Sequence, residues 1–276
     1  MQILQLTKKF PFPPRDGDAV ATLALSEQFV TQGHQVDLLA MNTSKHHNSL
    51  EKTNAAEFSG IQVHTVDVAT DLSPFKALVN LLFSQKAYIQ QRFESEEYKA
   101  HLIQLLNTKT YDIVQLEGLY LLSYASIIRK HSKAKIAFRA HNIEYQIWSK
   151  IAENSSNRLK KYYLRNMARR LAKYEKKVTT QTDYIIPISD LDCDFFSSLS
   201  PRKPVYHCPA GMEIPTLRNK GQVDSELKYY HLGALDWMPN QEGIQWFLDE
   251  VWQNRLRVRP QELRFALVRD VFFAIW

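Results

Sequence analysis

Cysteine is scarce in this chain: Cys193 and Cys208 are the only two among 276 residues, and no CxxC occurs. Neither a disulfide framework nor a zinc site is therefore suggested. Long apolar runs are missing as well, since no segment approaches the ~20 consecutive apolar residues that a membrane span requires. The apolar run in MQILQLTKKF is too short for a signal peptide, and its basic residues follow the run instead of preceding it. Together these absences lead to the expectation of a cytoplasmic chain. There is no internal repeat and no low-complexity tract. What is present is a globular mixture, 45% hydrophobic and 23% charged, long enough for one large domain or two ordinary ones. A net charge of +6 and a pI near 9.1 favour anionic partners: nucleotide diphosphates, anionic lipid headgroups or nucleic acid. Charge alone speaks for nucleic acid, so it is not taken as a partner.

Along the chain, QILQL at 2–6 reads as a short buried strand. After a proline-rich loop, Ala21, Leu25 and Phe29 recur at helical spacing until Gly33 supplies a C-cap, and QVDLLA at 35–40 forms the next strand. Strand, helix and strand with short links make a βαβ unit and a parallel sheet. His46-His47 lies in a polar stretch without a third ligand at useful spacing, which reads as a solvated loop. IQVHTVDV at 61–68 is a third strand. From Pro74 to Leu106 the pattern is helical in two pieces, the first apolar (Phe75, Leu78, Val79, Leu82, Phe83). YDIVQLEG at 111–118, KIAFRAHN at 135–142 and DYIIPISD at 183–190 each run as an apolar strand that stops at polar or glycine residues. In open α/β sheets ligands sit beyond such carboxyl ends, so these endings are candidate site walls. Ser189 and Asp192 form a capping-box-like pair.

The stretch YYHLGALDWMPNQEGIQWFLDEVW at 229–252 reads as strand, glycine turn and helix. Ile244, Phe247, Leu248, Val251 and Trp252 make a core-facing stripe, while Gln241, Glu242, Gln245, Asp249 and Glu250 take the other side. A helix start after a glycine turn suits an anion, because its first amide protons are unpaired. "LGALDWMPNQEGIQWF" resembles the opening of the donor-binding domain in family 4 glycosyltransferases, the retaining GT-B enzymes that move a sugar from a nucleotide diphosphate donor. GHQVDLLA at 33–40, HNIE at 141–144, YEKKVTTQTDYIIPIS at 174–189 and HCPAGMEI at 207–214, with Ala210 where the family has Asn, resemble further family segments in the family's order.

The resemblance implies an α/β, GT-B-like fold: a complete N-terminal Rossmann-like, acceptor-side domain with a parallel sheet over 1–200, and a partial C-terminal, donor-side domain over 201–276. It implies sugar transfer from a nucleotide diphosphate sugar to a saccharide or lipid-linked acceptor. No cofactor beyond the donor substrate and no essential metal are implied. Such transfer passes through an oxocarbenium-like state while a diphosphate leaves, so the protein must stabilise negative charge and position an acceptor hydroxyl. His141, at a strand end, could bond a sugar hydroxyl or the backbone, with Asn142 beside it, and Glu144 could orient the acceptor hydroxyl. The alternative has His141 and Asn142 capping the strand-to-helix turn and Glu144 in the first helical turn. Glu117, ending the neighbouring strand, is a weaker case of the same kind. Gly17 lies where the family brings backbone near the diphosphate or acceptor, and Arg15 could offset the charge of Asp18, itself read as the N-cap of a helix starting at Ala19. Gly211, Gly233, Asp236 and Asn240 would approach the donor if the family geometry holds. The family's Arg and Lys for the diphosphate are absent from the aligned turn.

Two stretches bear on membranes. NRLKKYYLRNMARRLAKYEKK at 157–177 alternates basic residues with Leu159, Tyr163, Met167, Leu171 and Tyr174, as an amphipathic helix at an anionic surface would, or as a solvated helix packed on the sheet would. The apolar helix at 74–83 could dip into a lipid surface or belong to the core. Both fit a chain that is peripheral on the inner face of a membrane. After Trp252 the family pattern fades, so the resemblance leads to the expectation of a shortened second domain, and of weak activity or mere binding of acceptor or partner by the chain alone.

Overall fold

The computed structural model describes residues 1–14, 16–44, 47, 60–211, 227–232, 238–256 and 263–268. In chain order the first elements are β1 (Gln2–Thr7), α1 (Gly17–Thr31), β2 (Gln35–Thr43), β3 (Ile61–Val68), α2 (Pro74–Phe83), α3 (Tyr88–Gln91), α4 (Glu96–Thr108) and β4 (Ile113–Glu117). A 3-10 turn (Leu119–Tyr124) leads to α5 (Ala125–His131), β5 (Lys135–Ala140), α6 (Glu144–Asn154), α7 (Arg158–Glu175), α8 (Val178–Gln181), β6 (Tyr184–Pro187) and α9 (Asp190–Leu199). Then follow β7 (Leu227–Leu232), α10 (Met238–Trp246), a π-helical stretch (Phe247–Leu256) and β8 (Leu263–Val268).

The chain divides into two compact units, one of residues 1–11 with 21–211, the other of 12–20 with 212–276. In the first, six strands form one parallel sheet in the order β3-β2-β1-β4-β5-β6. The chain moves outward from β1 through β2 and β3, then returns to the other side of β1 for β4. That reversal opens a crevice beyond the carboxyl ends of β1 and β4. Helices cover both faces, as parallel sheets require. Ser26 of α1 bonds Gln5 of β1 at 2.6 Å, and Phe196 of α9 packs edge-on to Phe138 of β5, whose neighbour Arg139 points to the face that Gln5 shares. Leu4, Leu6, Leu38, Leu39, Leu116 and Phe138 are almost wholly buried and form the core.

Local chemistry sets the helix starts. The side chains of Ser73, Ser95, Asn157 and Ser189 accept the first free amides of α2, α4, α7 and α9, the last from Asp192 N at 3.2 Å as the S-x-x-D spacing implies. Helix α1 starts two residues earlier than expected. Asp16, not Asp18, is the cap, its Oδ1 accepting Ala19 N at 3.0 Å, because its side chain reaches the free amide three residues on, which leaves Asp18 inside the first turn. The helical region from Pro74 is three helices, not two.

In the second unit β7 and β8 pair in parallel, with Tyr229 opposite Phe265, so the residues after Trp252, where the resemblance fades, close a βαβ unit with no glycine in the strand. Helix α10 starts at Met238, with Pro239 in a first turn that needs no amide there. Ile244, Phe247, Leu248, Val251 and Trp252 are half-buried, while Gln241, Glu242, Gln245, Asp249 and Glu250 are exposed. The stripe read from the sequence is the packed side.

Candidate functional site

Alternation along the strands decides which side chains share a face of the sheet. In β1, β4 and β5 one face carries Gln5, Gln115, Glu117 and Arg139, with Gln5 paired to Gln115 and Glu117 to Arg139 in register. All four are buried, an uncommon composition for a sheet interior. Burial of that much polarity requires partners. Glu117 Oε1 accepts the Gln115 side-chain amide and, at 3.5 Å, that of Gln5, whose own oxygen takes the Ser26 hydroxyl. Glu117 Oε2 lies 2.7 Å from His141 Nε2 and 3.9 Å from Arg139 Nε. Among the described residues Arg139 Nε and Nη1, although buried, have no hydrogen-bond partner.

Immediately after Glu117 the backbone turns at Gly118, with φ +97°, a left-handed conformation that a side chain would strain. Its amide donates to the Arg139 carbonyl at 3.1 Å, tying the ends of β4 and β5 together. A Cβ at Gly118 would stand 3.6 Å from Lys8 Nζ, and the same ammonium lies 5.8 Å from the Tyr120 ring centroid. Lys8 follows β1, so the loops that part at the reversal contribute a cation, a glycine and a carboxylate to one edge.

A second group adjoins along the chain. Tyr120 Oη donates to Glu144 Oε2 at 2.8 Å, and Trp148 Nε1 reaches the same hydroxyl at 3.5 Å. Burial first, then the neighbouring Glu144 carboxylate, pushes the Tyr120 phenol well above its ordinary range. Helix α6 has no side-chain cap of its own. Glu175, from α7, takes its place by accepting Glu144 N at 2.9 Å and Tyr145 N at 3.3 Å. Those two amides go to Glu175, Glu144 lies in the first turn of α6, and Asn142 is exposed. Desolvation drives the Glu175 carboxyl up to about 8, against the two amides that favour its charged form.

Of the residues singled out in the sequence, Glu117 and His141 are therefore in direct contact, and Glu144 is buried in the adjoining group. Gly211 is exposed at the end of the segment that follows α9 and runs beside β6, where Tyr206 N and Cys208 N bond the Ile185 and Pro187 carbonyls. Gly17 opens α1, and Asn240 is half-buried in the first turn of α10. Arg15, Gly233 and Asp236 lie outside the described residues. Sequence reasoning missed Lys8, Gln5, Gln115, Arg139 and Glu175. For three of them the signal was there, a polar residue between two apolar neighbours in a buried strand: Gln5, Gln115 and Arg139.

The sequence matches no protein-family model and no curated protein. Among solved structures, sucrose-phosphate synthase from Thermosynechococcus elongatus is similar with a TM-score of 0.62 and 14% identity, over 97% of this chain and 62% of that one. The HepE protein of Anabaena in complex with UDP-glucose is similar with a TM-score of 0.54 and 14% identity, over 97% of this chain and 60% of that one. The fold is GT-B-like. This chain spans about three fifths of the length of these two structures. The crevice at the strand reversal thus belongs to a GT-B-like sheet, the setting in which Glu117, His141 and Lys8 have to be judged.

Proposed function

We propose that this chain serves glycosyl transfer, moving a sugar from a nucleotide diphosphate sugar to a saccharide or lipid-linked acceptor in cell-surface polysaccharide or glycolipid synthesis. The observation that carries this reading is the Glu117–His141 pair, 2.7 Å apart at the carboxyl ends of neighbouring strands in a GT-B-like fold. Residues 1–200 form the acceptor side and 201–276 part of the donor side, as in the retaining family 4 enzymes that the sequence resembles. His141 bonds the acceptor hydroxyl, and Glu117 holds the imidazole in orientation from below. Glu144, through Tyr120, shapes the same wall. Lys8 adds positive charge at the edge where a diphosphate would leave, the charge that such a transition state needs. A lipid-linked acceptor would be met at a membrane surface. Among the described residues no helix is long and apolar enough to cross one.

Calorimetry with a panel of nucleotide sugars tests the reading: at least one should bind. His141→Ala should lower acceptor affinity or acceptor-dependent transfer of the folded protein about tenfold or more, the worth of a hydrogen bond in a desolvated site, alongside a loss of stability because the buried Glu117 carboxylate loses a partner. Unchanged affinity in a normally folded variant would remove His141 from the site. A second reading, a module that holds acceptor or a partner without transferring sugar, is favoured by the burial of Glu117 and Glu144, each already accepting hydrogen bonds from its own chain. Acceptor binding without any nucleotide-sugar binding would decide for it.

A further inference from the structure

Helix α2 is packed inside out. Six of the twelve exposed large apolar side chains among the described residues fall between Leu72 and Phe83, and five of them (Phe75, Leu78, Val79, Leu82, Phe83) recur at i, i+3, i+4, i+7 and i+8, which is one face. Phe75 is 75% exposed and Phe83 84%. The inward side buries a polar residue, Asn80, its amide donating to Gln91 Oε1 at 2.7 Å, with Ala77 and Leu81 half-buried beside it. Soluble helices bury the opposite face, and a contiguous apolar stripe of this kind marks an interaction surface.

The neighbouring element gives the chemistry of what covers it. Helix α7 carries Arg158, Lys160, Lys161, Arg165, Arg169, Arg170 and Lys173, against one acid, Glu175, which is buried under α6. Arg170 bolts the two helices together: its Nη1 donates to the Asn80 carbonyl at 3.1 Å and its Nη2 to the Leu81 carbonyl at 2.8 Å, offsetting the negative end of α2. Beside that clamp lies a cavity of about 320 Å³ lined by Ser84, Gln85, Asn166, Arg169, Arg170 and Lys173. Asn166 Oδ1, buried there, has no partner among the described residues, so the cavity pairs cations with an amide able to meet a hydroxyl. The only charged residue on α2 itself is Lys76. An apolar stripe flanked by cations and devoid of acids is complementary to the interface of a bilayer that displays negative charge.

We propose that α2 and α7 form a docking surface for an anionic glycerophospholipid bilayer. The α2 stripe lies at the acyl boundary, and Arg169 and Lys173 hold a headgroup phosphate in the cavity beside it. This deepens the membrane side of the proposed function and does not depend on transfer activity. The full chain should sediment with vesicles of mixed phosphatidylcholine and phosphatidylglycerol, not with phosphatidylcholine alone, and added salt should weaken the binding. Arg169→Gln with Lys173→Gln should lower the partition coefficient about tenfold, from the loss of two interfacial cations. Phe75→Ser with Leu82→Ser should lower it at least as much while leaving the melting temperature unchanged, because neither side chain is in the core. As a check that does not rest on weakened binding, Phe75→Trp should show a blue-shifted emission relative to the parent on anionic vesicles only. Equal binding to neutral vesicles, or wild-type binding by both double variants, would overturn the proposal. So would a dimer that Phe75→Ser with Leu82→Ser dissociates in a chain that binds no vesicles, since a second copy would then be the occupant. Nucleotide-sugar calorimetry on the same variants separates this surface from the transfer reading: it should be unchanged whichever way the vesicles decide.

Discussion

Two buried carboxylates stand at opposite ends of the same sheet, and their surroundings differ. Asp37, near the amino end of β2, accepts the Lys109 ammonium at 2.8 Å and the Tyr111 hydroxyl, and Lys109 reaches on to Gln62 at 2.6 Å and to solvent. That network is complete, and its cation remains partly hydrated. Glu117, at the carboxyl end of β4, faces Arg139, which is 1% exposed and keeps two nitrogens unpartnered among the described residues. Both carboxylates are paired inside the protein, yet of the two it is Glu117 whose buried cationic neighbour, Arg139, keeps donors unspent among the described residues. Polar residues that complete their hydrogen bonds internally are best understood as structure; those left with unspent donors at a strand reversal are the better candidates for a site.

Removing one partner at each end tests that contrast, and the largest effect belongs to Glu117→Ala. It strands the Arg139 guanidinium without a carboxylate in the core, so urea denaturation should show a loss of about 3–5 kcal/mol. A loss below about 1 kcal/mol would mean that the carboxyl end is as well hydrated as the amino end, and the comparison would fail.

Between the extremes lies Glu175, whose effect depends on pH. Its carboxyl is at about 8 in the folded chain against an ordinary 4.5, raised first by burial and then by Glu144. Between those values the folded state keeps a proton that the unfolded chain has released. Its contribution to stability is therefore fully present below 4.5 and is lost as pH rises through about 8. The decline should be on the order of a few kcal/mol across that window, and Glu175→Gln should flatten it. A parent and a variant with parallel stability curves over the window would show that Glu175 is ionised in the fold, held by the two α6 amides.

The smallest effect is expected at the amino end. Lys109→Ala leaves Asp37 bonded to Tyr111 and reachable by water, which should cost about 1 kcal/mol. A cost matching that of Glu117→Ala would erase the distinction between the ends.

The sequence by itself determined the strands and their order of appearance, because short apolar runs that end at glycine or polar residues have few other solutions than a parallel sheet with helical crossovers. It determined the stripe of α10 and the Ser189 cap for a similar reason: these are properties of residues within four positions of one another. It also exposed His141 and Glu117 as strand ends. Only the tertiary structure decided that Glu117 and His141 touch, and that Gln5, Gln115 and Arg139 lie on one face with Glu117, since that depends on the register between strands, with partners 24 positions apart for Glu117 and His141 and 112 for Gln5 and Glu117. Capping of α6 by Glu175, thirty-one residues from Glu144, could not be read locally. Nor could the orientation of α2, whose amphipathic pattern is the same whether its apolar face meets a core or water. Periodicity fixes that a helix has two faces; the partner brought by the rest of the chain, here Arg170 and Gln91 on the polar side, fixes which one turns inward.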